Sequence, residues 1–435
     1  MLDIKYVRDN PERVKEFSAQ KGCEVDVDGL LVADAERREV AGKLDSLRTE
    51  RNKIADKVKQ IKGKPAPELI KKGKQLKDEI AVLETELNEI DGVFIKLLKQ
   101  VPNIPHEDVP VGFSEDENVV AEVVGKPPKF DFAPKNHYEL ASSRGWLDKE
   151  RAAKVAGARF AYIKGDMVKL QMAIVQFVID TLTSRAKIAE IIKRFKLKNI
   201  SDKPFVPVLP PLMIKTEMYD AMDRLEPRED RYKIEDAELW LQGSAEHVLG
   251  SMYAGEILEE KELPVRMLGY ASSFRQEAGT YGKDMEGIIR MHQFDKLEME
   301  GFSVGENSFG EHLLFVAVQK FLLEELKLPY RVLQKCTYDI GKPNARGVDM
   351  EVWLPAQGKY RETHTADYMT DYQSRRLKTR VKRTDGKVEL VHTNDATAFA
   401  LGRIMVAIIE NYQTKDEKVV VPEVLRAYMG GVEEV

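Results

Sequence analysis

Phe274-Arg275-Gln276-Glu277, followed after a turn-rich segment (Gly279, Tyr281, Gly282) by Arg290-Met291-His292-Gln293-Phe294-Asp295-Lys296-Leu297-Glu298, is the stretch on which the reading of this chain turns. Arg275 and Glu277 stand two residues apart, so alternation along a strand points both to one face. An arginine fork holds a phosphate, and a nearby acid accepts from an amine. Arg290 adds a second phosphate contact, and Phe294 offers a flat apolar surface to a base. Together these residues predict most of an ATP site carried on antiparallel strands. Neither GxGxxG nor GxxxxGK[ST] occurs, so neither a Rossmann nor a P-loop nucleotide site is supported.

Around this stretch, strand-like runs recur at 205–209, 239–242, 266–272, 292–298 and 350–354. Amphipathic helices are predicted at 172–194, 309–326 and 398–413. Strands in succession with few intervening helices favour an antiparallel sheet, hence an α+β fold. The predicted division is an N-terminal domain over 1–105, a Pro-rich and acidic linker over 106–135, and a catalytic domain over 136–435.

The N-terminal part reads differently. Val40, Leu44, Leu47, Ile54, Val58 and Ile61 follow alternating steps of three and four with one gap at Arg51, and the pattern resumes as Leu69, Leu76, Ile80, Leu83, Leu87, Ile90, Phe94 and Leu97. Lys62-Gly63-Lys64-Pro65-Ala66-Pro67 breaks the pattern between them. Two heptad seams joined by a Gly/Pro turn predict an antiparallel coiled-coil arm over about 33–98. Between Arg48 and Lys77, eleven basic residues face only three acids, Glu50, Asp56 and Glu68. A basic tip on a projecting arm suits RNA backbone contact through Arg48, Arg51, Lys57, Lys59, Lys62 and Lys64.

The totals set outer bounds. A chain of 435 residues can bury a large core and hold two domains. The net charge of -5 gives no global attraction to nucleic acid, so any basic surface is local. Two cysteines far apart, Cys23 and Cys336, argue against a disulfide framework and against a Cys-rich zinc site; no zinc is expected. No signal-peptide pattern or membrane-spanning run is apparent, and a reducing, cytoplasmic setting is the simplest reading.

The stretch quoted first resembles motif 2 of the class II aminoacyl-tRNA synthetases, most closely the seryl-tRNA synthetases. Other segments resemble that family in the right order: the opening Met1-Leu2-Asp3-Ile4-Lys5, the arm, Arg151 to Phe160, Pro207-Val208-Leu209-Pro210-Pro211 (motif 1), Thr393-Asn394 with Leu401-Gly402-Arg403 (motif 3), and the ending Val419 to Gly431. The resemblance implies a homodimer that uses ATP and Mg²⁺ to charge tRNA(Ser) with L-serine, with tRNA(Sec) as a further candidate and no membrane partner. It implies roles for individual residues. Arg275 would hold the α-phosphate, Glu277 the adenine amino group, and Phe294 and Arg403 the two faces of the base. Arg275, Glu277 and Arg403 form the catalytic set. Arg290 and Met291 would support the nucleotide, with Gln276, Thr363 and His364 completing the ATP set. Glu362 and Thr365 would bind Mg²⁺. Ser244, Ala245 and Glu246 would lie near the ammonium of serine, Glu298 and Thr397 around its hydroxyl, with Arg275 and Asp395 also in reach.

This chain departs from the family pattern in three places. Ser244 replaces a usual threonine. Thr363-His364-Thr365-Ala366-Asp367-Tyr368 replaces a Ser/Cys/Asn-rich stretch. Asp395-Ala396-Thr397-Ala398 replaces Asn-Gly-Ser/Thr-Gly. Alanine in place of glycine stiffens a loop and is expected to narrow the pocket. Two alternatives therefore stand beside the main reading. One is a ligase of the same fold for glycine, alanine or threonine; the other is a non-catalytic RNA-binding paralogue.

Overall fold

Eight strands form the central sheet of the computed structural model, which describes residues 1–61, 64–278 and 287–435. In chain order they are β1 (Val119–Val124), β2 (Val206–Val208), β3 (Val265–Phe274), β4 (Gln293–Ser303), β5 (Tyr330–Gln334), β6 (Arg346–Leu354), β7 (Lys359–Thr370) and β8 (His392–Ala400). Their spatial order is β1-β5-β6-β7-β8-β4-β3-β2. Every pairing is antiparallel except the edge pair β2 with β3.

Alternation gives this sheet two unlike faces. Along β4, Leu297 and Met299 enter the main apolar core, while Phe294, Lys296, Glu298 and Glu300 point the other way. The core lies between the sheet and α3 (Asp166–Leu182), α4 (Gly305–Glu325) and α5 (Leu401–Asn411), whose Ile174, Phe177, Phe315, Phe321, Ile404 and Ile408 are all buried. Each such side chain contributes about 1.5–3 kcal/mol of apolar burial. Arg266 on β3 forms a fully buried fork with Glu311 on α4, at 2.7 and 2.8 Å, and its guanidinium also donates to the carbonyls of Ser201 and Lys203. A buried charge so completely paired avoids the several kcal/mol that an unpaired one would cost.

Several expected elements differ in detail. The helix predicted over 172–194 is two helices, because Ser184 caps a new one at Arg185–Arg194 with its hydroxyl. The helix predicted from Ala398 starts at Leu401, since 398–400 continue β8. The expected linker at 106–135 supplies β1, which pairs along β5 at the sheet edge, so this stretch is built into the second unit. Leu239–Leu241 pairs with Met213–Lys215 outside the main sheet.

The chain divides at Ile104/Pro105 into two compact units. In the first, α1 (Val27–Gln60) and α2 (Pro67–Leu98) run antiparallel for about 50 Å, at 1.5 Å per residue. Val40, Leu44, Ile54, Leu76, Ile80 and Phe94 are buried in their seam. Arg48–Glu84 (2.8 Å) and the ion pairs Arg37–Asp91 and Lys72–Glu50 cross it. Arg48, expected as an RNA contact, thus already holds a carboxylate. Lys57, Lys59 and Lys64 are exposed near the tip, and Lys62 lies outside the described residues. Among the described residues no helix is long and apolar enough to cross a membrane.

Candidate active site

The sheet face away from the core carries the site. A cavity of about 110 Å³ is lined by Arg275, Glu277, Arg290, Met291, Phe294, Lys296, Glu362, Thr363, Thr365, Thr397 and Arg403, with Ile288 and Gly402 among its apolar walls. Most of the residues read from the sequence as an ATP site thus converge, from the segment after β3, the approach to β4, β4 itself, β7 and the first turn of α5.

The way they converge differs from strand alternation. β3 ends at Phe274, so Arg275 and Glu277 lie beyond it, and Glu277 takes a left-handed backbone with φ 55°. Asp230 holds that turn: its carboxylate accepts from the Glu277 amide at 2.8 Å, and its carbonyl accepts from Gln276. The Gln276 side chain donates instead to the Arg231 carbonyl and does not face the cavity. Arg275 donates through Nε to the Gly243 carbonyl (3.0 Å), and its guanidinium sits 5.4 Å from the centre of the Phe294 ring. Glu277 is paired with Arg290. The segment with Gly279, Tyr281 and Gly282 lies outside the described residues.

On β7 a bulge decides which groups face the cavity. Asp349 pairs with Thr365 and Met350 with His364, but Glu351 pairs with Glu362, so Thr363 is the extra residue. Glu362 and Thr365 therefore share the site face although three positions apart. His364 points into the core against Phe399, with ring centres 5.2 Å apart, and bonds Thr363 at 2.7 Å. Its ring does not reach the cavity, which corrects its expected place in the nucleotide set, and burial lowers its pKa to about 3, keeping it neutral. Glu362 accepts from Arg403 at 3.0 Å. Its side chain is about half exposed, so the upward push of desolvation is weak, and Arg403, Lys335 and Arg275 together hold its carboxyl below the usual value. The buried Thr365 hydroxyl lies opposite Asp349 in the strand pair and lowers the pKa of that carboxyl.

Beside this cavity lies a buried polar cluster. Ser244 Oγ donates toward Glu246 (3.0 Å) and Glu298 (3.3 Å) and accepts from Lys296 Nζ (3.1 Å). Lys296 is ion-paired to Glu298. Gly269, opposite Glu298 on β3, allows this closeness: a Cβ there would meet Leu249 at 2.7 Å and Ala245 at 3.2 Å. The short helix Glu246–Leu249 can then lie directly on the sheet. Ala245 packs its methyl into that apolar contact, so it supports the cluster without facing it. Thr397 lies opposite Glu298 and Asp395 opposite Glu300, on the same face. Ala396 and Ala398 enter the core on the other face, so they do not narrow the pocket as expected.

Lys296, Arg224, Glu300 and Asp349 were not singled out from the sequence. Lys296-x-Glu298-x-Glu300 has the strand period and could have been read as one row. Arg224 has no local signal. It follows a short helix in a turn, yet its guanidinium reaches Glu246 (3.3 Å), Asp395 (3.4 Å) and Asp367 (3.7 Å).

Comparison with known proteins agrees with this geometry. Residues 1–105 match the seryl-tRNA synthetase N-terminal domain, and residues 231–412 match the tRNA synthetase class II core domain (G, H, P, S and T). The serine–tRNA ligase of Thermodesulfovibrio yellowstonii is 39% identical over 99% of both chains. The chain belongs to the seryl-tRNA synthetase family. The serine–tRNA ligase of Nitrosopumilus maritimus is 36% identical over 100% of both chains. The Pyrococcus horikoshii seryl-tRNA synthetase, solved in complex with ATP, has a TM-score of 0.88 at 38% identity, covering 100% of this chain and 99% of that one. The class II architecture and the paired N-terminal helices are therefore family features.

Proposed function

We propose that this protein is a serine–tRNA ligase that activates L-serine with ATP and transfers it to tRNA(Ser). The observation that carries the reading is the junction of two sites on one sheet face. The Arg275–Phe294–Arg403 cavity adjoins the Ser244–Glu246–Lys296–Glu298 cluster and shares Lys296 and Thr397 with it. The full-length match to serine–tRNA ligases supports it.

The substrate carboxylate is already ionised, so its attack on the α-phosphate needs no general base, and pyrophosphate leaves in line. Catalysis is positioning and charge neutralisation. Arg275, braced by the Gly243 carbonyl and the Phe294 ring, is aimed at the α-phosphate. Phe294 and Arg403 flank the base, Glu277 accepts from its amino group, and Arg290 neutralises the phosphate tail. Glu246 and Glu298 take the ammonium and the hydroxyl of serine. Glu362 and Thr365 suit a hard divalent cation, since an ionised carboxylate and a hydroxyl, both oxygen donors, share one face of the cavity. Mg²⁺ bound there would neutralise phosphate charge.

The basic tip, with Arg51, Lys57, Lys59 and Lys64 as its described members, is assigned to the tRNA backbone. Dimerisation is assigned to the motif 1 edge, where Val206, Leu209 and Met213 are exposed and Leu209 is 81% accessible. The reaction is assigned to the cytoplasm, and tRNA(Sec) remains a second RNA substrate to be assayed. Serine-dependent ATP–pyrophosphate exchange followed by charging of tRNA(Ser) tests the function. Absence of exchange with serine at saturating ATP and Mg²⁺ would remove it.

A further inference from the structure

The amino-acid pocket gathers more carboxyl groups than serine can use. Glu246, Glu298, Glu300, Asp367 and Asp395 are each at least nine-tenths buried on one face of the sheet or against it. Strand register aligns three of them directly, Glu300 opposite Asp395 and Asp395 opposite Asp367, with Glu298 two residues from Glu300 on the same face. Among the described residues, Arg224 and Lys296 pair with them, and Lys335 acts on Asp367 from nearby. Five carboxyl groups against these three cations leave two with no counter-charge when ionised. The ammonium of serine compensates one, and its hydroxyl brings no charge.

Two further observations point to a ligand. Buried polar atoms of this kind are normally paired, yet both oxygens of Glu300, one of Glu298 and one of Asp367 lack partners. Burial and the neighbouring acids drive the carboxyls of Glu300 and Asp395 well above their usual range, the response of acids awaiting a counter-charge. The cluster also already accepts an ammonium: Lys296 Nζ lies 3.1 Å from Ser244 Oγ and 3.9 Å from Glu246, and pairs with Glu298. There is space beyond. A chamber of about 720 Å³, lined by Arg224, Asp367, Asp349 and Lys335, adjoins the cluster at Asp367 and reaches the nucleotide cavity at Glu362 and Thr365.

We propose that this pocket takes a small α-amino acid carrying a second ammonium on its side chain, of the 2,3-diaminopropionate or 2,4-diaminobutyrate class, held by Asp395, Glu300 and Asp367. The inference rests on the assignment of the Ser244–Glu298 cluster as the amino-acid site. The chemistry is that of serine activation: the carboxylate oxygen bonds to the α-phosphorus, pyrophosphate leaves, and neither amine reacts.

The test is ATP–pyrophosphate exchange by the full-length protein at pH 7 with serine, 2,3-diaminopropionate and 2,4-diaminobutyrate in parallel. A diamino acid should support exchange with a kcat/KM at least equal to that of serine. Asp395→Asn and Glu300→Gln should each lower the ratio of diamino-acid to serine activity by about tenfold or more, as expected for loss of a charged hydrogen bond. A ratio taken within one protein sample cancels any loss of folded enzyme. Exchange with serine but with neither diamino acid overturns the inference and leaves the ligase assignment standing. So does a ratio that neither substitution moves. No exchange with any of the three removes the ligase assignment beneath it.

Discussion

Replacing Glu298 by glutamine should change how the stability of the protein depends on pH. Its carboxyl is fully buried, one oxygen has no partner, and the other is shared by Lys296 and Ser244. Burial pushes its pKa from 4.5 up to about 7; Lys296 and Arg275 pull it back, and Glu246 pushes it further up. The folded chain therefore holds this proton more tightly than the unfolded chain. The stability it contributes is complete below pH 4.5 and is lost as pH rises through 7. At about 1.4 kcal/mol for each decade, that interval amounts to about 3 kcal/mol. Glu298→Gln carries no titrating group at this position. Its unfolding free energy relative to wild type should rise by about 3 kcal/mol between pH 4.5 and pH 8. Urea unfolding of both proteins at five pH values, followed by tryptophan fluorescence and circular dichroism, measures this. Glu300 and Asp395 feel the charge of Glu298, so the difference reports Glu298 together with the relief of those two neighbours. A difference flat in pH would refute the argument that burial outweighs Lys296. The same substitution should raise the KM for serine, because the pocket loses an acceptor.

Three further outcomes are expected. Arg275→Ala should lower kcat/KM in exchange by about 3–4 kcal/mol of transition-state stabilisation, and activity within threefold of wild type would show the α-phosphate lies elsewhere. Gly269→Ala sets a methyl against Leu249 and should cost about 1–3 kcal/mol by thermal or urea unfolding while raising the serine KM more than the ATP KM; equal changes in both would argue that Glu246 is not held by this contact. Replacing residues 49–83 with a short Gly/Ser linker, cut where Arg48 meets Glu84, should leave exchange intact and depress tRNA charging by on the order of tenfold or more. Normal charging by that protein would mean the basic tip is only a solvated face.

The two long helices and the antiparallel sheet were legible because their signals are local. Heptad steps from Val40 to Leu97 repeat within one segment and need no knowledge of distant residues. The arginines, Phe294 and Glu362 were legible as a set because each sits in a short run of recognisable type. Residue spacing did not reveal which atoms meet. Arg275 and Glu277 share the cavity through a left-handed turn held by Asp230, not through strand alternation. One bulged residue brings Glu362 and Thr365 to the same face and sends His364 into the core. Ala396 and Ala398 look pocket-lining in a motif and are core residues by register. The charge of the amino-acid pocket was the least visible feature. It depends on β4, β7 and β8 lying side by side and on Arg224 reaching in from a turn far away in sequence. Periodicity assigns a residue to a face, whereas only the pairing of distant strands decides which charges share a dry volume, and Coulomb energy in that volume follows from distance, not sequence order.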